Sequence, residues 1–150
     1  MTKKEKNIKY FEAVGRRKRS VARVRFYLPT KNEPVDINGI KVKKGEIIVN
    51  SKPFELVFTK NYERDYIKTP LKLTNNEDRF AISIIVRGGG KTGQAEAIIL
   101  GIARALVLVD PSYKEILKKH KLLTRDPRKK ERRKVGMGGK ARREKQSPKR

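Results

Sequence analysis

The sequence predicts one compact domain of mixed strands and helices with a basic arm at each end. Ser20 to Leu28 and Phe80 to Arg87 alternate their side chains with the two-residue period of a strand, and Ala95 to Val109 carries apolar residues at helical spacing. The charge is crowded into the ends. Residues 1–25 carry net +8 and residues 124–150 net +10, which leaves only +6 of the total +24 for the stretch between them. The expected division is a flexible basic N-terminus over 1–9, a globular domain over 10–123 and an extended basic tail over 124–150.

Taken in order, Tyr10 to Val14 is a candidate strand, joined by the basic turn Gly15 to Arg19 to the strand Ser20 to Leu28. On that second strand Ala22, Val24, Phe26 and Leu28 are expected to face the core, while Arg23, Arg25 and Tyr27 are presented on the other face. Val35 and Ile37 face Ile40 and Val42 across Asn38-Gly39, a dipeptide suited to a two-residue hairpin. Ile47 to Val49 is a short apolar run. Ser51 and Pro53 then mark a helix start, with Phe54, Val57 and Phe58 on one side. A second short helix is expected over Asn61 to Lys68, ending before Pro70 because the residue preceding a proline is pushed from helical geometry.

Phe80, Ile82, Ile84 and Val86 on one face and Ile85 on the other suggest a central strand, broken by Gly88-Gly89-Gly90. A long helix then opens at Thr92 or Gly93. Its small-residue stripe, Ala97, Gly101 and Ala105, would let it approach a sheet or a nucleic-acid backbone closely. Asp110 and Pro111 read as cap and first position of a last helix bearing Tyr113, Ile116, Leu117 and His120.

The last twenty-seven residues hold thirteen Lys or Arg, three acids and only Val135, Met137 and Ala141 as apolar side chains. Such a segment cannot bury itself and calls for a polyanion. A membrane surface fits poorly, since neither basic arm has an apolar face, and no apolar run is read as approaching the roughly 20 residues of a bilayer span. Met1 to Lys9 lacks a secretory pattern, so the expected address is intracellular and soluble. With no Cys and one His, no thiolate or zinc site is expected, and no cofactor or small-molecule substrate either.

Gly88-Gly89-Gly90-Lys91-Thr92 between strand and helix imitates a nucleotide-binding loop, but the spacing requires glycine at position 85, where Ile85 stands. The better reading is a tight turn with its backbone exposed and Lys91 available to phosphate. Gly15-Arg16-Arg17-Lys18-Arg19 would be an ordinary solvated tip, were it not for Arg23, Arg25 and Tyr27 on the neighbouring strand face. That geometry suits phosphates plus an aromatic for stacking. His120 reads as a partly buried structural residue. No arrangement of nucleophile, base and orienting acid can be built, so no enzyme is expected.

These stretches closely resemble the bacterial form of the small-subunit ribosomal protein S9 family. The resemblance begins with Ala13-Val14-Gly15-Arg16-Arg17-Lys18 and Ser20-Val21-Ala22-Arg23-Val24. It is most specific over Gly88-Gly89-Gly90, Gly93-Gln94-Ala95, Ala97 and Gly101-Ile102-Ala103-Arg104-Ala105-Leu106. It resumes at Leu122-Leu123-Thr124-Arg125-Asp126-Pro127-Arg128, Glu131-Arg132 and Ala141-Arg142-Arg143, and closes on Lys149-Arg150. Gln146-Ser147-Pro148 departs from the aromatic and serine usual before the final pair, Val135 replaces a common aromatic, Gly138-Gly139 carries an extra residue, and Lys41 to Glu46 looks longer than in typical members.

The resemblance implies an α+β fold like the second domain of ribosomal protein S5, with a four-stranded sheet, packed helices and a left-handed βαβ crossover. It also implies a structural place in the head of the small subunit, beside other head proteins. Ribosomal RNA would be held by Arg16, Arg17, Lys18, Arg19, Arg23, Arg25, Lys91 and Arg104 on the domain. Arg125, Arg128, Lys129, Arg132, Arg133, Lys140, Arg142 and Arg143 would hold it along the tail, with Lys149 and Arg150 meeting peptidyl-site tRNA. Fully extended, the tail from Arg125 could span about 85 to 90 Å. The competing expectation from composition alone is a free-standing basic protein that coats nucleic acid without specificity.

Overall fold

A computed structural model describes residues 10–29, 34–37 and 39–137. The first two strands, β1 (Tyr10–Arg17) and β2 (Ser20–Tyr27), form an antiparallel hairpin in which Arg17 pairs with Ser20. The basic segment is therefore mostly strand. Only Lys18 and Arg19 turn, with Lys18 at φ 50°, so the expected strand end at Val14 is corrected to Arg17. A small hairpin follows, β3 (Val35–Ile37) and β4 (Ile40–Val42), closed by Gly39 N–H donating to Asp36 Oδ1 at 2.9 Å. Asn38 of the expected turn lies outside the described residues.

Next come β5 (Ile47–Val49), β6 (Lys52–Pro53), α1 (Phe54–Val57), α2 (Asn61–Leu73), β7 (Ala81–Arg87), α3 (Lys91–Val109) and α4 (Tyr113–Lys119). Among the described residues the main sheet has five strands, ordered β1-β2-β7-β5-β6, not the four expected. The fifth is short and its turn is disguised. Asn50 and Ser51 both take positive φ, 49° and 62°, a two-residue hairpin turn without the glycine that would announce it. Asn50 compensates by exchanging hydrogen bonds with Val86, donating to its carbonyl at 3.0 Å and accepting from its N–H at 2.9 Å. As expected, β7 is central; it runs parallel to β5 and antiparallel to β2.

Helix α2 runs through Pro70 to Leu73 instead of ending at Lys68. Pro70 removes one helical hydrogen bond, but Ile67, Pro70 and Leu71 are all buried, and tertiary burial outweighs the local penalty. Helix α3 starts at Lys91, slightly before its expected opening. Its nineteen residues are long and apolar enough to qualify as a membrane span by length and composition, against the expectation from the sequence. Its apolar residues are spent on the core instead, with Ile98, Ile102 and Leu106 fully buried beneath the sheet. The last helix begins at Tyr113, and Asp110 Oδ1 accepts the Ser112 N–H at 2.9 Å just ahead of it. His120, expected to be partly buried, is exposed.

Helix α3 lies on β1 and β2 at backbone distance. A Cβ on Gly15 would overlap the Ala97 carbonyl oxygen, and one on Gly101 would stand 2.6 Å from Val24 Cγ2. The small stripe therefore serves the sheet. On the opposite face Tyr27, Ile48 and Ala81 are covered by Ile37 and Val42 of the small hairpin. This corrects two expectations: Tyr27 is buried, and Leu28, at 51% exposure, lies outside the core.

Candidate nucleic-acid interface

Alternation along β1 and its turn sends the consecutive cations 16 to 19 in different directions. Across the face away from α3, Arg16 pairs with Val21 and Val21 with Arg87; Val14 pairs with Arg23 and Arg23 with Ile85; Glu12 pairs with Arg25 and Arg25 with Ser83. The result is a flat face, uncovered among the described residues, bearing Arg16, Arg23, Arg25 and Arg87. Arg87 is absent from the residues singled out by sequence, although the two-residue period of its strand places it there with Ile85. Arg25 is partly neutralised. Its Nε donates to Glu12 Oε2 at 2.6 Å and its guanidinium stands 4.6 Å from the Tyr10 ring centroid. The Glu12 hydrogen bond is the main reason its pKa is raised. Tyr10, not Tyr27, is the exposed aromatic on this surface.

Arg17 points the other way. Its side chain is only 11% exposed; Nε donates to Glu96 on α3, Nη2 meets Asp126 Oδ2 at 3.0 Å, and Nη1 donates to the Arg128 carbonyl at 3.1 Å. Asp126 is also gripped by Arg128, whose Nη2 donates at 2.8 Å and whose backbone N–H donates at 2.9 Å. These bonds, the Arg128 side chain first, hold the Asp126 carboxyl well below the usual carboxylate range. One acid in the tail thus ties its first residues to the domain, so Arg17 is occupied by protein.

Lys18 and Arg19 border an open basin of about 570 Å³, completed by Gly89 to Gly93 and by Lys129 and Lys130 of the tail. Gly88 and Gly89 have φ of 74° and 66°, and both pack against the hairpin turn: a Cβ on Gly88 would meet the Arg19 carbonyl oxygen, and one on Gly89 the Ser20 hydroxyl. Lys91, expected to be available to phosphate, donates to the Val57 carbonyl at 2.6 Å. Arg104 donates to the Val14 carbonyl at 2.8 Å, closing part of the outer edge of β1. Arg125, Arg128, Lys129, Arg132 and Arg133 are exposed. Lys140, Arg142, Arg143, Lys149 and Arg150, like residues 1–9, lie outside the described residues.

With this geometry in place, comparison with known proteins assigns the chain to a family. The family model described as "Ribosomal protein S9/S16" matches residues 15–150. This chain belongs to that family. It is 44% identical over 127 residues to the small ribosomal subunit protein uS9 of Maridesulfovibrio salexigens, covering 85% of this chain and 87% of the relative. The protein of the same name from Solidesulfovibrio magneticus is 42% identical over 130 residues, covering 87% and 89%. That of Chlorobium limicola is 46% identical over 125 residues, covering 83% and 86%. The matched region takes in the Arg17–Asp126 latch, the basin, the tail and all four open-face arginines, and only Tyr10 to Val14 of β1 lie ahead of it.

Proposed function

We propose that this chain is a structural component of the small ribosomal subunit whose domain and tail neutralise ribosomal RNA phosphates. The supporting observation is the pairing of two uncovered basic surfaces with relatives of nearly the same length, each named as a small-subunit protein. Arg16, Arg23 and Arg25 contact RNA from the flat face, Lys18, Arg19 and Lys129 from the basin side, and Arg125, Arg132 and Arg133 along the tail. Arg17 acts by way of the protein bonds it makes, and Lys91 and Arg104 combine theirs with remaining donors turned to RNA. The binding is electrostatic and positional, without base readout.

The same reading divides the chain into an N-terminal arm over 1–9, an RNA-binding domain over 10–123 and a tail over 124–150. It places the domain in the subunit head among neighbouring head proteins. The parallel β5–β7 pair, joined through α1 and α2, supports a fold like the second domain of S5, in which that crossover is left-handed. The tail carries Lys140, Arg142 and Arg143 through packed RNA and brings Lys149 and Arg150 to peptidyl-site tRNA.

Stoichiometric recovery of the chain in salt-washed small subunits is the expected result, and recovery only with DNA or messenger RNA would favour a free-standing nucleic-acid coat. Deleting Lys149 and Arg150 should weaken tRNA binding to the peptidyl site of purified subunits by about threefold to tenfold, with assembly near normal. Unchanged tRNA affinity would sink the role given to the terminal pair.

A further inference from the structure

The flat face and the basin differ in their counter-charges. On the flat face Glu12 lies against Arg25 at 2.6 Å, and elsewhere Lys72 has Asp65 at 2.8 Å. Around the basin Lys18, Arg19, Lys129 and Lys130 converge from the hairpin turn and the tail, and among the described residues no carboxylate lines it. Like charges gathered from distant parts of a chain repel one another unless something outside the chain neutralises them. The Arg17–Asp126 bridge at 3.0 Å nevertheless holds the tail where Lys129 and Lys130 face the hairpin.

The wall between them is bare at Gly90. Its φ of −100° and ψ of 173° suit any residue, and a Cβ there would meet nothing within 4 Å. Nothing among the described residues requires glycine there. The position is the cap of α3, where Asp, Asn or Ser generally serves a helix at least as well as Gly. Bareness that the fold does not use leaves room for a ligand that must come close.

We infer that this basin seats a turned, unpaired stretch of ribosomal RNA backbone, its phosphodiester oxygens between Lys18, Arg19, Lys129 and Lys130 and its sugar-phosphate chain against Gly90. The inference rests on the proposed ribosomal RNA role and adds to it one composite site, complete only when the tail is latched. A hollow between two turns and a chain segment fits a bent single strand better than the convex side of a duplex. The charge comes from the four side chains, and the start of α3 contributes room.

The test is Gly90→Asp in the full-length chain, with binding measured to a transcript of the small-subunit ribosomal RNA at fixed salt. The fold should be as stable or slightly more so, with an unchanged or raised Tm, because Asp caps a helix well. RNA affinity should fall about tenfold or more as the carboxylate enters the basin. Lys129→Ala with Lys130→Ala, on the exposed tail, should reduce the salt slope by about 1.5. Lys114→Ala removes one charge on α4, beyond the far end of α3, whose nineteen residues span about 28 Å, and should leave affinity within about twofold.

An affinity for Gly90→Asp equal to that for Lys114→Ala overturns the inference, as does an unchanged salt slope in the double variant. Failure of the parent chain itself to bind the transcript overturns the ribosomal RNA reading on which the site rests.

Discussion

The two faces of the hairpin β1–β2 are built from alternate residues of the same strands and serve opposite ends. The face toward α3 has Ala13, Gly15, Ala22, Val24 and Phe26, packed so closely that Gly15 meets the helix backbone. The outer face has Arg16, Arg23 and Arg25, with Val14 and Val21 between them. Among the described residues only one end of the outer face is covered, by the small hairpin over Tyr27. The uncovered end is where the arginines stand. A two-layer domain needs one apolar face of its sheet, so the second is available for a partner wherever no further layer closes it.

That division predicts its largest effect at Gly15. Gly15→Val should destabilise the domain by about 3 kcal/mol or more, since the side chain meets the α3 backbone and neither strand nor helix can yield cheaply. Urea unfolding of the full chain measures it. On the opposite face, Arg16→Ala, Arg23→Ala and Arg87→Ala combined should change stability by only about 1 kcal/mol or less. The salt slope of RNA binding should nevertheless fall by about 2, roughly 0.7 per lost contact to a single strand. If this triple variant unfolds as readily as Gly15→Val, the outer face is structural and the division is wrong.

The sequence carries much of this division, but not all. Period-two patterning locates β2 and β7, and the spacing from Ala95 locates α3, because burial on one side leaves a regular signal. Pro70 hides the last turn of α2, since its local preference opposes a helix that Ile67 and Leu71 stabilise by burial. Asn50 and Ser51 hide β6, since the bonds that stabilise their turn come from Val86, thirty-six residues away.

For the candidate interface, composition marks the cations but not their directions. Arg16 and Arg17 are chemically identical neighbours, and only the strand assignment separates an outward charge from one bound by Glu96 and Asp126. Alternation could also have identified Arg87 by its register with Val21. Asp126 looks like a stray acid in a basic tail, because the residue it meets, Arg17, lies more than a hundred positions earlier.

The latch gives the smallest expected effect and the finest test of where domain ends and tail begins. Arg128 and, more weakly, the charge of Arg17 depress the Asp126 pKa. A carboxyl with a lowered folded pKa contributes fully above its unfolded value of about 3.9, and that contribution is lost as pH falls through the folded value. Protection of the Arg128 amide, which donates to Asp126 Oδ1 at 2.9 Å, corrected for intrinsic exchange, should therefore persist at about pH 4, where an ordinary Asp is half protonated. In Asp126→Asn it should be low at every pH, with the midpoint of global unfolding little changed, because the latch lies at the surface. Loss of protection in the parent chain between about pH 6 and 5 would place the latch on some other group, since the Asp126 carboxylate stays charged across that range.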